Sequence, residues 1–172
     1  GKARAVGVSE VSPKELVRAH TTHPIPAVQM EWSLFSRELE SELVPTARAL
    51  GIGIVAYSPL GRGMLTGSAK ATTDLPLIDY RRFLPRWRRA NVAANLRSVE
   101  KVAAVARRIG ATPGQVALAW VLSRGDDVVP IPGTKRPRYL QENLGALEVQ
   151  LDAEALSDLD TLTVAGDRNA QR

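Results

Sequence analysis

Cysteine is absent from this 172-residue chain, which excludes a disulfide framework and any thiolate metal site. Histidine occurs only at positions 20 and 23, too few nitrogen ligands for a zinc site. Aromatic residues make up 5% of the chain. No apolar run approaches the roughly 18 residues of a membrane-spanning helix. No basic-then-apolar leader opens the chain, so a cytoplasmic location is the default expectation. Acidic residues are the minority charge: 23 Lys and Arg against 18 Asp and Glu give a net charge of +5. That balance favours anionic partners without naming one. What is present, 44% apolar residues, suffices for one domain with a sizeable core.

Apolar stretches of strand length alternate with helical spacing. "ARAVGVS" (3–9) precedes a helix signalled by Ser12 as N-cap, Pro13 at the first helical position and Glu15 closing a capping box. "PAVQMEW" (26–32) precedes a second helix. Its start falls near Ser41, because Pro45 must lie in the first turn or so, and Gly51 stops it. "GIGIVAYSP" (51–59) is a third strand, followed by a Gly-, Pro- and Arg-rich excursion over 60–91. Apolar residues at 96, 99, 102, 103, 106 and 109 mark the next helix. Thr112 and Gln115 box the start of another, apolar on most sides. "DDVVPIPG" (126–133) is a fourth strand; a helix to about Leu147 follows, and a last one opens at Asp152.

The order is βα four times over, with continuously apolar strands of the kind covered on both faces. Helical crossovers make such a sheet parallel and right-handed. An open doubly wound sheet and part of a (βα)8 TIM barrel both satisfy this pattern. Polar or aromatic residues close each apolar run: Ser9 and Glu10, Gln29 and Glu31, Tyr57 and Ser58, then Thr134. In a barrel those carboxyl ends converge on one ligand-binding mouth, which favours the barrel.

Two stretches carry chemistry. In "VVPIPGTKRPRYLQEN" (128–143), Thr134 reads as an N-cap, with Lys135, Arg136 and Arg138 at the positive end of the helix dipole. Each cation there costs about 0.3–1 kcal/mol unless an anion such as phosphate shares the site. Gln141, Glu142 and Asn143 add donors and acceptors suited to an adenine or a ribose. In "YSPLGRGMLTG" (57–67), Tyr57 offers a flat ring for a planar ligand, and Ser58, Leu60, Gly61 and Gly63 form a Gly-rich turn that a pyrophosphate could approach. It is not a GxGxxG fingerprint, so a Rossmann reading fails.

These stretches, together with "GVSEVS" and "VQMEWSLFSRELESELVP", resemble the aldo/keto reductases over essentially the whole chain and in the family's order. The resemblance implies a (βα)8 barrel of which this chain supplies about the last four βα units. It also implies NADP(H) bound without a Rossmann fold, and metal-free hydride transfer that reduces aldehydes and ketones. Carried onto this sequence, Ser9 and Gln29 match the positions at the nicotinamide carboxamide, and Tyr57 matches the ring stacked on the nicotinamide. Ser58, Leu60, Gly61, Arg62 and Gly63 match the turn over the pyrophosphate. Gly133, Thr134 and Lys135 match the segment at the 2′-phosphate, with Arg136 or Arg138 as second cation, and Glu142 and Asn143 match the adenine pair. Glu10 stands where many relatives carry Asn, and Tyr139 where some place an Arg.

The family's catalytic Asp, Tyr, Lys and His belong to the first four strands, whereas this chain opens on what resembles the fifth. Neither His20 nor His23 matches the catalytic one. The resemblance therefore implies a coenzyme cradle without the tetrad, inactive alone and belonging to a roughly twice-longer enzyme; a non-catalytic coenzyme-binding module is the alternative. The expected partners are a small carbonyl substrate and either the amino-terminal half of the barrel or a second copy, to cover the strand edges. "YRRFLPRWRR" (80–89) sets five arginines around Tyr80, Phe83 and Trp87, a mix suited to single-stranded nucleic acid. Its place after the third strand instead favours a wall of the cofactor or substrate pocket, so neither nucleic acid nor membrane is an expected partner. The polar end "TVAGDRNAQR" (163–172) reads as a mobile tail.

Overall fold

The computed structural model describes residues 1–68 and 75–169. Its strands are β1 (Val8–Ser9), β2 (Ala27–Glu31), β3 (Gly53–Tyr57) and β4 (Val128–Ile131). Its helices are α1 (Pro13–Thr22), α2 (Leu43–Ala49), α3 (Arg89–Ile109), α4 (Pro113–Leu122), α5 (Pro137–Leu144) and α6 (Ala153–Asp160). The strands form one parallel sheet in the order β1-β2-β3-β4. Chain order and spatial order coincide, so there is no switch point of the doubly wound kind. This is an arc of a (βα)8 barrel wall.

Local sequence explains the helix starts. Ser12 caps α1 and Glu15 reaches back to the Ser12 N–H at 2.8 Å; Thr112 and Gln115 repeat the box on α4, with Gln115 Oε1 2.9 Å from the Thr112 N–H. Gly51 and Gly110 take left-handed φ values of 68° and 72° where α2 and α3 end, a conformation that disfavours a side chain.

Strand register decides what faces where. Val28, Met30, Ile54, Ala56 and Val128 point to the helices and are buried. On the opposite face, Ser9, Gln29, Val55 and Val129 stand in one row, and Glu31, Tyr57 and Ile131 stand in the next, at the carboxyl ends. That face is largely open: Gln29 is exposed, Val129 is 57% exposed and Ile131 43%. Strands expected to be covered on both faces are thus covered on one by this chain's helices. The inner layer, α4, presents Val116, Ala117, Trp120 and Val121, all 0% exposed, to the core.

Several boundaries differ from the sequence reading. β1 is two residues long. A 3-10 turn, Glu38–Glu40, precedes α2, which starts at Leu43 rather than near Ser41. α3 begins at Arg89, so the excursion after β3 closes earlier than residue 91. Thr134 is not the N-cap of α5: that is Arg136, because Pro137 occupies the first helical position. Thr134 Oγ1 instead accepts the Arg136 N–H at 3.2 Å, a local turn just ahead of the helix.

The end of the chain, expected to be mobile from Thr163, is tied down through Asn169. Ser98 Oγ donates to Thr163 O at 2.6 Å, and the fully buried Asn95 both accepts from Ala165 N (2.7 Å) and donates to Ala165 O (3.0 Å). Arg86 Nε donates to Gly166 O at 3.3 Å. Residues 170–172, and residues 69–74 of the excursion, lie outside the described residues. No described helix is long and apolar enough to cross a membrane.

Candidate functional site

The turn after β3 and the turn after β4 rise from neighbouring strands, and a cleft of ≈ 790 Å³ opens between them. Tyr57, Ser58, Leu60, Arg62 and Gly63 line it from the first turn; Gly133, Thr134, Glu142 and Asn143 line it from the second turn and α5. A contiguous cleft of ≈ 1020 Å³ shares Arg62, Gly133 and Thr134 and adds Lys135. Two stretches some 70 residues apart in the sequence therefore meet as one groove. Ser9 and Gln29 line neither cleft; they stand side by side on the open sheet face, with Ser9 Oγ donating to Gln29 O at 3.1 Å. Gly61 is buried beneath its turn, packed against Leu65 and Phe35. Arg138 lies beyond the groove lining, on the exposed first turn of α5.

Positive φ angles shape the first turn: Ser58 51°, Gly61 57°, Arg62 55° and Gly63 89°. Two of these are not glycine, and each left-handed placement costs about 1 kcal/mol, which the surrounding bonds must offset. The Gly61 N–H donates to Ser58 O at 2.9 Å and the Gly63 N–H to Leu60 O at 3.0 Å. Those amides serve the turn itself and are not free for an anion. What the turn offers a ligand is a wall without a side chain at Gly63, where a Cβ would stand 3.4 Å from Arg81 Nη1.

The Arg62 side chain is engaged within the protein while its residue lines the groove. Its guanidinium forks onto Glu31, Nη1–Oε1 at 3.0 Å and Nη2–Oε2 at 2.7 Å. Glu31 is 2% exposed and also accepts from Ser36 Oγ at 2.9 Å, with Arg86 Nη1 3.6 Å away. Sequence reasoning missed this knot: Glu31 was placed at the mouth as a polar strand end, and nothing local pairs it with a residue 31 positions on. Arg81 is spent as well, on Asp79 at 2.7 Å and on the Arg62 carbonyl at 3.1 Å.

The second turn contrasts with the first. Lys135, Arg136 and Arg138 form no ion pair among the described residues. Arg138 and Arg136 instead lie over the Tyr139 ring, 4.6 and 5.8 Å from its centre, and Arg138 Nη2 donates to the Tyr139 hydroxyl at 2.8 Å. Glu142 is partly committed: its Oε1 accepts from Thr112 Oγ1 at 3.0 Å, hooking α5 to the start of α4. Asn143 lines the groove.

Tyr57 closes the row formed by Glu31, itself and Ile131. Burial, followed by the nearby Glu31 and Glu10 carboxylates, pushes its phenol up to about 12. It remains a neutral ring at physiological pH, suited to be a surface rather than a base. Burial alone would raise the Glu10 carboxyl, but the Arg168 guanidinium and the Glu31 N–H outweigh it and hold the group below the usual range.

Tyr80, Arg81, Thr66 and Gly114 also line the main cleft and were not assigned to it by name. Tyr80 and Arg81 lie in the basic-aromatic stretch that was expected to wall a pocket. Nothing in the sequence marks Thr66 or Gly114. In the same stretch Trp87 is 1% and Arg86 5% exposed and Arg81 is paired with Asp79, whereas Tyr80 and Phe83 are 62% and 70% exposed.

A parallel sheet in chain order, with a nucleotide-sized groove across the carboxyl ends of its strands, defines an α/β-barrel protein whose site is built on βα turns. Comparison with known proteins names the family. The model of the aldo/keto reductase family matches residues 1–163, and the chain belongs to that family. It is 46% identical over 167 residues to "Probable aldo-keto reductase 1" of Glycine max, covering 97% of this chain and 48% of that protein. Its fold matches the glycerol dehydrogenase AKR11B4 from Gluconobacter oxydans with a TM-score of 0.85 at 27% identity, over 92% of this chain and 48% of the other. It matches the thermostable aldo-keto reductase Tm1743, solved with the inhibitor epalrestat, with a TM-score of 0.69 at 29% identity, over 93% and 48%. The chain thus spans about half the length of the relatives it matches.

Proposed function

We propose that this chain is the coenzyme-binding portion of an NADP(H)-dependent oxidoreductase that reduces small aldehydes and ketones to alcohols in the cytoplasm. The observation that carries the reading is the groove itself, which gathers Tyr57, Ser58 and Gly63 from one turn and Gly133, Thr134 and Lys135 from another. Family membership supplies the reaction class. The donor set fits the coenzyme: a neutral aromatic ring at one end, a side-chain-free wall in the middle, and cations without carboxylate partners at the other end.

When bound, the reduced coenzyme supplies a hydride. This chain's own residues hold and orient it. Tyr57 would provide the flat platform, with Ser9 and Gln29 one row away on the same sheet face. Lys135, with Arg138 beyond the groove lining as a second cation, would meet the 2′-phosphate, and Asn143 and Glu142 would border the adenine. The Glu31 knot keeps Arg62, and with it the whole first turn, from moving. Tyr57 stands at the family's stacking position rather than at its acid, so the proton donor would come from another part of the protein. The remaining strands of a barrel would pair with the edge strands β1 and β4, and the open face bearing Gln29, Val129 and Ile131 would line its interior.

Fluorescence titration of NADPH with the full-length protein tests the reading. Tyr57→Ala is expected to weaken binding roughly tenfold, on the scale of 1–1.5 kcal/mol for a stacked ring. Unchanged affinity in a folded Tyr57→Ala variant would remove the stacking role.

A further inference from the structure

Thr112 and Gln115 open α4 as a capping box, yet each also reaches out of its own helix to the same residue of α5. The Thr112 hydroxyl oxygen accepts the Gln115 N–H at 3.2 Å, which leaves its single proton free, and that proton goes to Glu142 Oε1 at 3.0 Å. Gln115 divides its amide in the same way. Its Oε1 accepts the Thr112 N–H at 2.9 Å, and its Nε2 donates to the Glu142 carbonyl at 3.0 Å. The two partners dictate which way that amide faces, since one is a donor and the other an acceptor. Gly145 makes the second bond possible: a Cβ there would stand 2.5 Å from Gln115 Nε2.

Glu142 is therefore held at both ends, by its main-chain carbonyl and by one carboxylate oxygen. A glutamate side chain clamped in this way loses much of its rotamer freedom. The other oxygen, Oε2, has no hydrogen-bond partner among the described residues, and Glu142 lines the groove. Gly114, between the two box residues, lines it too, and a Cβ there would meet Glu142 Oε1 and Leu60 Cδ2 at 3.8 Å each. The start of α4 thus places on the groove wall a carboxylate with one oxygen spent and the other to spare. A carboxylate only accepts, so what it can take from a ligand is an N–H or an O–H.

We propose that Thr112 and Gln115 are positioning residues that make the groove choose a 6-aminopurine over a 6-oxopurine, acting through Glu142. Adenine offers its 6-amino group to an acceptor. A 6-oxopurine offers an oxygen at that place and an N–H at the next ring position. A carboxylate free to swing would follow the donor from one position to the other and take both bases. A clamped one cannot follow, and it meets the 6-oxo oxygen as acceptor against acceptor, a repulsion of the kind that creates selectivity. This rests on the coenzyme reading of the groove, and the test separates the two.

The experiment titrates the full-length protein by fluorescence with two probes, NADPH and its deaminated counterpart carrying hypoxanthine in place of adenine. It reads the ratio of their dissociation constants, each variant first being shown to be folded by thermal unfolding. The parent is expected to favour NADPH roughly tenfold, the scale of one hydrogen bond to a charged group. Thr112→Asp keeps a cap for α4 but has no proton to give and repels Glu142. Gln115→Glu keeps the acceptor for the Thr112 N–H but loses the donor to the Glu142 carbonyl. Both are expected to bring the ratio down to about twofold or less, whereas Thr112→Ser, which can cap and donate, keeps it. Loss of a helix cap alone would weaken both probes alike and leave the ratio where it was. A ratio that persists in folded Thr112→Asp and Gln115→Glu while it collapses in Glu142→Gln would overturn the proposal and leave the coenzyme reading in place. A parent ratio near one would do the same. Failure of NADPH to bind the parent would bring down the coenzyme reading, and the proposal with it.

Discussion

Arg62 and Lys135 line the same groove, yet among the described residues one has a buried carboxylate partner and the other has none. Around the first turn, cations are spent within the protein: Arg62 and Arg86 on Glu31, Arg81 on Asp79, Arg168 on Glu10. Around the second, Lys135, Arg136 and Arg138 are exposed, and Arg136 and Arg138 lie over the Tyr139 ring. Nearby residues of the same type thus do different work. A cation neutralised in a dry environment holds backbone in place; a cation left unneutralised in solvent keeps its field for a ligand. Of the net charge of +5, the part that can draw an anion to this site sits on the second turn.

Removing the paired cation is expected to give the larger effect. Arg62→Met leaves the Glu31 carboxylate buried, with Ser36 and the more distant Arg86 as company. An uncompensated buried charge costs about 3–5 kcal/mol, and the residual Arg86 contact places this case near the lower bound. Urea unfolding of the variant would read the loss directly. The double variant Arg62→Met/Glu31→Met should recover most of it, because no charge is then stranded. A loss below about 0.5 kcal/mol, the level of an ordinary surface substitution, would erase the distinction between the two turns.

The unpaired cations should behave in the opposite manner. Lys135→Ala combined with Arg138→Ala is expected to leave unfolding free energy within about 0.5 kcal/mol of the parent, since both side chains are exposed, neither forms an ion pair among the described residues, and Arg138 gives up only its exposed contact with Tyr139. Its effect should fall on the coenzyme: NADPH weakened about ten- to a hundredfold and NADH much less, as only NADPH carries the 2′-phosphate, at about 1.5–3 kcal/mol for charge-assisted bonds. The NADPH loss should shrink as salt is added, because exposed charges are screened beyond about 8 Å at physiological ionic strength. Parallel titrations of the two coenzymes at low and high salt check both statements. Equal losses for the two would take away the phosphate role of the basic turn.

Much of this architecture can be read along the chain because its determinants are local. Ser12 with Glu15, Thr112 with Gln115, and the left-handed Gly51 and Gly110 each announce a boundary within four residues. Pro137 announced one too: a proline at the first helical position makes Arg136 the cap, and the stronger capping tendency of Thr134 drew attention from it. The groove could be anticipated for a related reason, as each wall is a single turn with its own composition. What stayed hidden is nonlocal. Glu31 meets Arg62 across 31 positions, Asn95 meets Ala165 across 70 and Glu10 meets Arg168 across 158, and no periodicity or spacing encodes such a pair. A run such as "TVAGDRNAQR" is polar whether it waves in solvent or is stitched to a rim, because its bonds are made by partners elsewhere. Composition alone reads both situations as a tail.

The smallest expected effect concerns that stitched segment and comes from pH. Glu10 has a depressed pKa in the folded protein, so its pairing adds stability above the ordinary carboxylate pKa and loses it as pH falls through the folded value. Acidification therefore works from below the usual Glu range, protonating Glu10 and releasing Arg168, while the amide bonds of Asn95 and the hydroxyl bond of Ser98 do not titrate and remain. Local opening should start at the Arg168 end and leave Ala165 protected until the whole domain unfolds, because segments open in units set by their own contacts. Amide hydrogen exchange across 163–169 as a function of pH, corrected for intrinsic rates, would follow this residue by residue. In Glu10→Gln the Arg168 end should exchange at neutral pH as it does in acid in the parent, with Ala165 unchanged. Simultaneous loss of protection at both ends would mean that the ion pair and the amide bonds are one cooperative clamp, and the division between titrating latch and fixed anchor would fail.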